Sequence, residues 1–434
     1  MQFGESLKSY LKDDEIKALL QAIDEGEETH ALILNTAKIS DEEFVRRFPH
    51  VRKHPFMPHA YLYDKKEYEF GKYMLYENGA YSIEEPSAMM PIYFLHPEKG
   101  DVILDYCAAP GGKSIAASLM MEGEGCLVAN DISYPRAKAL SQNIERMGVG
   151  NVVVASNDFV FSHVHFAETF DKIIVDAPCS GSAMMRKSPE ARADWKYSKV
   201  VSCSKKQLGI LDLAYSMLKK GGTIAYSTCS FNEEENEGVI LAFRKAHPDA
   251  ELIDLPDDPT FYRSEKLPEA VHLFPNLFEG EGQFVCLLRK PGELVRTKRE
   301  VVANERYKVF LERYGLVGRS NEMLRNKFYS LYQHFDTSHL NILRYGVKLF
   351  EVRDIFIPDH HLTHFLDSSY SVPITLEEAK AYVSGGTFET NLKDDYYIVS
   401  YDKMNLGYVK VTQGIAKNHY PKGLRRDWGP EIGG

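Results

Sequence analysis

Ile173 to Gly181 reads IIVDAPCSG, an apolar run that ends in an acid, a proline and a cysteine. Ile173, Ile174 and Val175 have the character of a short strand buried on both faces, as in a parallel sheet covered by helices. Asp176 then falls at the carboxyl end of that strand, where open α/β sheets place their ligands. Pro178 cannot continue the ladder and turns the chain away, leaving Cys179 at the mouth of the crevice. A second apolar strand, Thr223 to Ser227 (TIAYS), ends in Thr228-Cys229-Ser230. If a doubly wound order makes these strands neighbours, their ends lie about 5 Å apart and both thiols reach one small target.

Upstream, the chain supplies the other parts of such a sheet. Asp101 to Ser114 (DVILDYCAAPGGKS) is a strand followed by a glycine-rich turn. Gly111 and Gly112 permit close backbone approach, and a helix from about Ser114 points its N-terminal amides at a polar or anionic group. A phosphate loop requires glycine where this chain has Cys107, and the G-x-G-x-x-G fingerprint is absent, which leaves another adenosine cofactor. Cys126 to Asp131 (CLVAND) is a second strand ending in an acid that can take both ribose hydroxyls, or merely cap the next helix. Val152 to Ala155 is a third strand, with Asp158 beyond its end as a partner for an adenine amino group or a turn residue. Gly282 to Leu288 closes the set.

The 434 residues exceed one ordinary core and imply two to four domains. Hydrophobic content of 44% and charged content of 26% are those of a soluble globular chain. Six cysteines without a C-x-x-C pair, no signal-peptide start and no bilayer-length apolar run point to a reducing cytoplasm and no membrane. The net charge of -10 excludes a uniformly basic surface, so any nucleic-acid face must be local. Candidates are Arg46, Arg47, Arg52 and Lys53 with His50 and His54; Arg186, Lys187 and Arg192 beside Trp195; and Lys417, Lys422, Arg425 and Arg426 in an acid-free tail. The first two can be solvated surfaces, and the tail is the strongest local basic signal in the sequence.

The expected organisation is an α/β chain: a small α-rich domain over 1–75, a doubly wound Rossmann-like domain over 76–290, a helical linker domain over 291–365 and a β-rich module over 366–434. Gly79 to Leu95 reads as a helix interrupted by Pro91, and Glu233 to Ala246 as a helix with an acidic start.

Two cysteines at neighbouring strand ends suit a particular chemistry. Methyl transfer to an exocyclic amine needs no covalent help, whereas carbon 5 of a pyrimidine becomes a good nucleophile once a thiolate adds to carbon 6. A disulfide or two inert buried cysteines are the competing accounts. A helix starting just after Cys229 would lower its pKa, while Glu233, Glu234 and Glu235 would oppose that, so its protonation stays open.

The motifs Cys107-Ala-Ala-Pro-Gly-Gly-Lys113, Asp176-Ala-Pro-Cys179-Ser-Gly181 and Ser227-Thr-Cys229-Ser230, in this order, resemble the Sun/NSUN-like family of S-adenosylmethionine-dependent RNA cytosine-5 methyltransferases over roughly residues 76–290. The flanks, Leu273 to Phe284 and a PUA-like module ending near Lys417 to Arg425, resemble the RsmF branch, which modifies bacterial small-subunit ribosomal RNA. The resemblance implies a class I methyltransferase fold and a turn, Cys107, Ala108, Ala109, Pro110, Gly111, Gly112 and Lys113, that holds the methionine part of S-adenosylmethionine. It implies Asp131 on the ribose with Arg136 beside it, Asp158 at the adenine, Asp176 on the flipped cytosine, Cys229 as nucleophile and Cys179 releasing product. The implied partner is RNA, 16S rRNA or the small ribosomal subunit, met by a monomer without a metal. Ser182-Ala183 departs from the Glu-Gly expected after the Cys179 turn.

Overall fold

The computed structural model describes residues 2–313, 316–352, 356–366 and 368–426. Its centre is a ten-stranded sheet whose five middle strands are parallel, in the order Leu218–Thr228, Phe170–Asp176, Val102–Asp105, Cys126–Asn130, Val152–Ala155. Helices Gly112–Met120, Tyr134–Met147 and Tyr197–Met217 make the crossovers, so the order reverses beside the Val102–Asp105 strand and opens a crevice there. Gln283–Arg289 adds antiparallel to Leu218–Thr228.

These segments become inner strands because both of their faces are apolar. Ile103, Leu127, Val154, Ile174 and Ala225 enter the core on one side of the sheet, and Leu104, Val128, Val153, Ile173 and Tyr226 the core on the other. Alternation by two thus feeds two cores at once, the signature of a covered parallel sheet. The Tyr134–Met147 helix starts with Pro135 in its first turn and stops at Gly148, which takes the left-handed conformation a C-terminal cap favours.

The flanks differ from their sequence reading. The N-terminal region, expected to be α-rich, carries helices Asp13–Glu25 and Asp41–Arg47 and also a four-stranded sheet ordered Arg52–Lys53, Ala60–Tyr63, His30–Leu34, Tyr81–Glu84. Runs such as His30–Leu34 are too short for periodicity to separate strand from helix. The last of these strands also replaces the start of the helix expected over Gly79–Leu95; the helix proper is Met90–Leu95, and Pro91 sits in its first turn rather than interrupting it. The 291–365 segment, expected to be a helical linker, has more strand than helix among its described residues: Ser320–Leu324, Lys327–Leu331, Ile342–Tyr345, Val347–Val352 and Phe356–Pro358, against the short helices Lys308–Arg313 and His360–Thr363. Ile342–Tyr345 pairs antiparallel with Val152–Ala155 and extends the main sheet. Lysines and arginines inside several of the segment's strands, such as Arg344 and Lys348, blur the two-residue period. Beyond it lies a five-stranded sheet containing Tyr396–Tyr401 and Met404–Thr412, packed on helix Leu376–Val383. Residues 427–434 of the β-rich module lie outside the described residues.

Candidate active site

The Asp176 and Ser227 positions are paired across adjacent parallel strands, so the turns that follow leave the sheet side by side. Cys179 Sγ and Cys229 Sγ lie 2.8 Å apart, both half-buried and both free. That separation exceeds the roughly 2.05 Å of a disulfide, so the pair shares a hydrogen bond instead. The contact with Cys229 and burial together push the Cys179 thiol well above its ordinary pKa, and the Glu235 and Asp176 charges add to the push. Either sulfur can be the donor in this contact, and the raised Cys179 pKa favours keeping the proton on Cys179.

A residue that the motif reading passed over holds the two turns together. Glu235 is fully buried, and its carboxylate accepts from Ser180 N at 2.8 Å, Ser230 Oγ at 2.6 Å and Gln207 Nε2 at 3.0 Å. Ser180 follows Cys179 and Ser230 follows Cys229, so one carboxylate ties both cysteine turns to the same point. Ser182 adds a second tie by accepting from Phe231 N at 2.7 Å, and Ala183 N donates to Cys229 O at 3.0 Å. The Ser182-Ala183 departure thus supplies a brace between the turns. The sequence signal for Glu235 was present in the run Glu233 to Glu237, but a helix start explains exposed acids and not a buried one. A helix does not begin directly after Cys229: the α-helix spans Glu237–Ala246, after a short 3-10 turn at Glu233–Glu235.

Beside the thiols, Lys113 Nζ donates to Asp176 Oδ2 at 2.7 Å, while Asp176 Oδ1 accepts from Ser227 Oγ at 2.8 Å and Gln283 Nε2 at 2.9 Å. Burial works against the charge on Lys113, but Asp176 outweighs it and the ammonium pKa ends above normal. Lys113 stands in the first turn of helix Gly112–Met120, so the Cys107 to Lys113 turn and the thiol turns meet across this ion pair.

The turn itself needs its glycines for the protein's own packing. Gly111 has φ +120°, and a Cβ on Gly112 would lie 2.1 Å from Glu84 Oε2. Asn130 and Asn143 brace it, through Asn130 Nδ2 to Tyr106 O at 3.2 Å and Asn143 Nδ2 to Pro110 O at 2.9 Å. Arg136 donates to Ala109 O at 2.7 Å and stands 3.3 Å from Asp131 Oδ2. Asp131 is buried, with Oδ1 accepting from Ser133 N at 2.9 Å and Oδ2 making no hydrogen bond. A buried carboxylate oxygen in that condition is the donor-seeking group a ribose hydroxyl satisfies. Asp105, at the end of the first strand, is similar: Oδ2 accepts from Ser114 Oγ at 2.6 Å and Oδ1 has no hydrogen-bond partner. Burial raises its pKa to about 7. Burial likewise raises the Cys107 thiol. Asp158 is exposed and caps the short Phe159–Ser162 helix through Val160 N.

The basic clusters singled out by sequence are largely paired inside the protein. Arg46 and Arg47 meet Glu43, Arg47 also meets Asp402, and Arg52 meets Glu279. Arg186 lies 2.7 Å from Glu281 and Arg192 2.7 Å from Asp24. In the tail, Arg426 lies 2.6 Å from Glu77, and Arg425 bonds to Tyr420 O and Asn418; Lys417 and Lys422 are exposed.

A Rossmann-like sheet with a glycine turn after its first strand and acids at successive strand ends defines a class I methyltransferase. Residues 92–289 match the family described as 16S rRNA methyltransferase RsmB/F, and residues 369–426 match the methyltransferase RsmF PUA domain. The ribosomal RNA small subunit methyltransferase F of Aeromonas salmonicida is 31% identical over 392 residues, 81% of this chain and 80% of its own length. The protein of the same name from Shewanella piezotolerans is 28% identical over 428 residues, 91% of this chain and 90% of its own. A solved methyltransferase homologue from Pyrococcus horikoshii covers 66% of this chain and 93% of its own, at 27% identity and TM-score 0.57. NSun6 from the same organism, solved with SFG, shares the fold at TM-score 0.61 and 20% identity, over 67% of this chain and 98% of its own. The chain belongs to the RsmB/F family of 16S rRNA methyltransferases. Among the described residues no helix is long and apolar enough to cross a membrane.

Proposed function

We propose that this chain transfers a methyl group from S-adenosylmethionine to carbon 5 of a cytosine in RNA, with 16S rRNA, named in its relatives, as the substrate. The observation that carries this reading is the pair of free sulfurs 2.8 Å apart, set beside the Lys113–Asp176 ion pair where the glycine turn meets the thiol turns.

In this reading the Cys107 to Lys113 turn holds the methionine part of the cofactor, Asp131 the ribose with Arg136 steadying both, and Asp158 the adenine end. Bound there, the cofactor supplies an electrophilic methyl group. The target cytosine leaves its stack, and Asp176, pinned by Lys113, Ser227 and Gln283 but still one-third exposed, accepts from its amino group. The Cys229 sulfur adds to carbon 6, and the electron pair displaced from the double bond makes carbon 5 nucleophilic. After methylation the bond from sulfur to carbon 6 breaks and the carbon 5–carbon 6 double bond re-forms, the carbon 5 proton passing to the Cys179 sulfur as that sulfur gives up its own. Cys179, held protonated, donates to the departing sulfur. The choice of Cys229 over Cys179 as nucleophile rests on the likeness of Ser227-Thr-Cys229-Ser230 to the family's motif.

RNA carrying 5-fluorocytosine at the target cannot lose a proton from carbon 5 and should trap a covalent adduct visible as a shifted band on a denaturing gel. Cys229→Ala should abolish that band, and Cys179→Ala should accumulate an adduct even with unmodified RNA. Trapping by Cys229→Ala overturns the assignment of the nucleophile.

A further inference from the structure

The cations flagged in the sequence are mostly neutralised by carboxylates, but a set the motifs did not single out is not. From Trp195 to Leu211 the chain has four lysines, Lys196, Lys199, Lys205 and Lys206, and no acid. Lys196 precedes helix Tyr197–Met217 and the other three lie in its first half; all four are exposed, and none forms an ion pair among the described residues. A solvated helix face ordinarily intersperses acids with its lysines. This one does not until Asp212.

The position of the helix matters as much as its charge. Lys199 Nζ donates to Ser180 O at 3.2 Å, one residue beyond Cys179. Eight residues on, Gln207 Nε2 donates to Pro178 O at 3.1 Å, one residue before Cys179. The helix is therefore bolted to the Cys179 turn at two points. Lys206 lies next to the second of them, and Lys199 and Lys206, seven residues apart, share a face and stand about 10 Å apart along the axis. Both act on the thiol of Cys203 between them, opposing the effects of burial and Glu235. At the start of the helix, Lys196, Trp195 and Tyr197 border a cleft of about 710 Å³ that Phe3 and Met185 also line.

We propose that Lys196, Lys199, Lys205 and Lys206 form a track that holds the phosphates of the RNA strand on one side of the target cytosine and leads that strand to the Cys179–Cys229 turns. This rests on the RNA reading above and specifies where the strand runs. A strand tracked by lysines releases counterions, so its affinity falls with salt by about 0.7 in the logarithmic slope per phosphate contacted on single-stranded nucleic acid.

The test uses the full chain with Lys196→Ala, Lys205→Ala and Lys206→Ala combined, sparing Lys199 because it braces the Cys179 turn. Filter binding of a 16S rRNA transcript at several salt concentrations should show a slope shallower by about 2 and an affinity lower by on the order of 10-fold or more. Methylation of the same transcript should show a raised KM with kcat preserved, and S-adenosylmethionine affinity by calorimetry should be unchanged. An unaltered salt slope and KM in the triple variant overturn the track while leaving the RNA reading standing. Failure of the unaltered protein to bind or methylate both the transcript and small subunits overturns the RNA reading and the track together.

Discussion

The two halves of the candidate site are built on opposite terms. On the thiol side the two carboxylates are fully engaged by the protein: Glu235 takes three neighbours and Asp176 is pinned by three donors, while Ser182 bridges the turns and Gln207 Oε1 is left without a hydrogen bond. On the cofactor side, Asp105 Oδ1 is buried without a hydrogen-bond partner, and Asp131 Oδ2 makes no hydrogen bond but stands 3.3 Å from the Arg136 guanidinium. Unmade hydrogen bonds of this kind cost about 1–3 kcal/mol each. The contrast separates two jobs. A group that must hold reacting atoms in register is fixed in advance by its own fold, whereas a group that must bind a ligand keeps bonding capacity for it.

That contrast can be broken most sharply at Glu235. Glu235→Gln keeps the shape of the side chain but presents an amide nitrogen to neighbours that are themselves donors, Ser180 N and Gln207 Nε2. The two cysteine turns should lose their common anchor, and a misplacement of about 1 Å there lowers kcat by about 10²-fold. Cofactor affinity should stay within a factor of two, since Glu235 touches neither the glycine turn nor Asp131. Steady-state kinetics paired with calorimetry checks this; equal losses in kcat and in cofactor affinity would mean that the two halves are not separate.

The cofactor side should answer in the opposite way. Asp131→Asn removes a charge that can accept from ribose hydroxyls, and a charge-assisted hydrogen bond is worth about 1.5–3 kcal/mol, so S-adenosylmethionine should bind about 10- to 100-fold more weakly. Trapping of 5-fluorocytosine RNA at saturating cofactor should survive. A cofactor dissociation constant unchanged in Asp131→Asn removes Asp131 from the site.

The same division explains what could be read from the chain alone. Inner strands such as Val102–Asp105 and Val152–Ala155 are apolar on both faces, and the acids and cysteines that end them stand out against that background. The adjacency of the Asp176 and Thr223–Ser227 strands was a condition the sequence could state but not settle; the structure meets it and pairs Asp176 with Ser227. Glu235 stayed hidden because a carboxylate is recognisable as an anchor only when the turns it joins, about fifty residues apart, are in place. The strands at 320–358 stayed hidden for another reason: Ile342–Tyr345 is stable as an edge of a sheet made elsewhere in the chain, and such tertiary support leaves no local pattern. The arginine clusters stayed undecided for a similar reason, because Arg47 and Arg52 find acids 355 and 227 residues away.

The smallest expected effect concerns stability rather than turnover, and it asks whether the cofactor side carries a cost of its own. Burial lifts the Asp105 carboxyl from 3.8 to about 7, with the nearby Asp176 and Asp131 charges adding to the lift and Ser114 and Lys113 opposing it. A folded-state pKa above the unfolded one means that the folded protein binds the extra proton between about pH 4 and 7. The stability contributed by the protonated form is complete below the unfolded pKa and is lost as pH rises through about 7. Asp105→Asn keeps an oxygen for Ser114 and cannot ionise, so the fall in melting temperature between pH 5 and pH 8 should become shallower, and at pH 8 the variant should melt about 2 °C or more above the unaltered protein. Melting curves across that range decide the matter, and parallel profiles for the two proteins would show that Asp105 ionises in the fold as readily as in water.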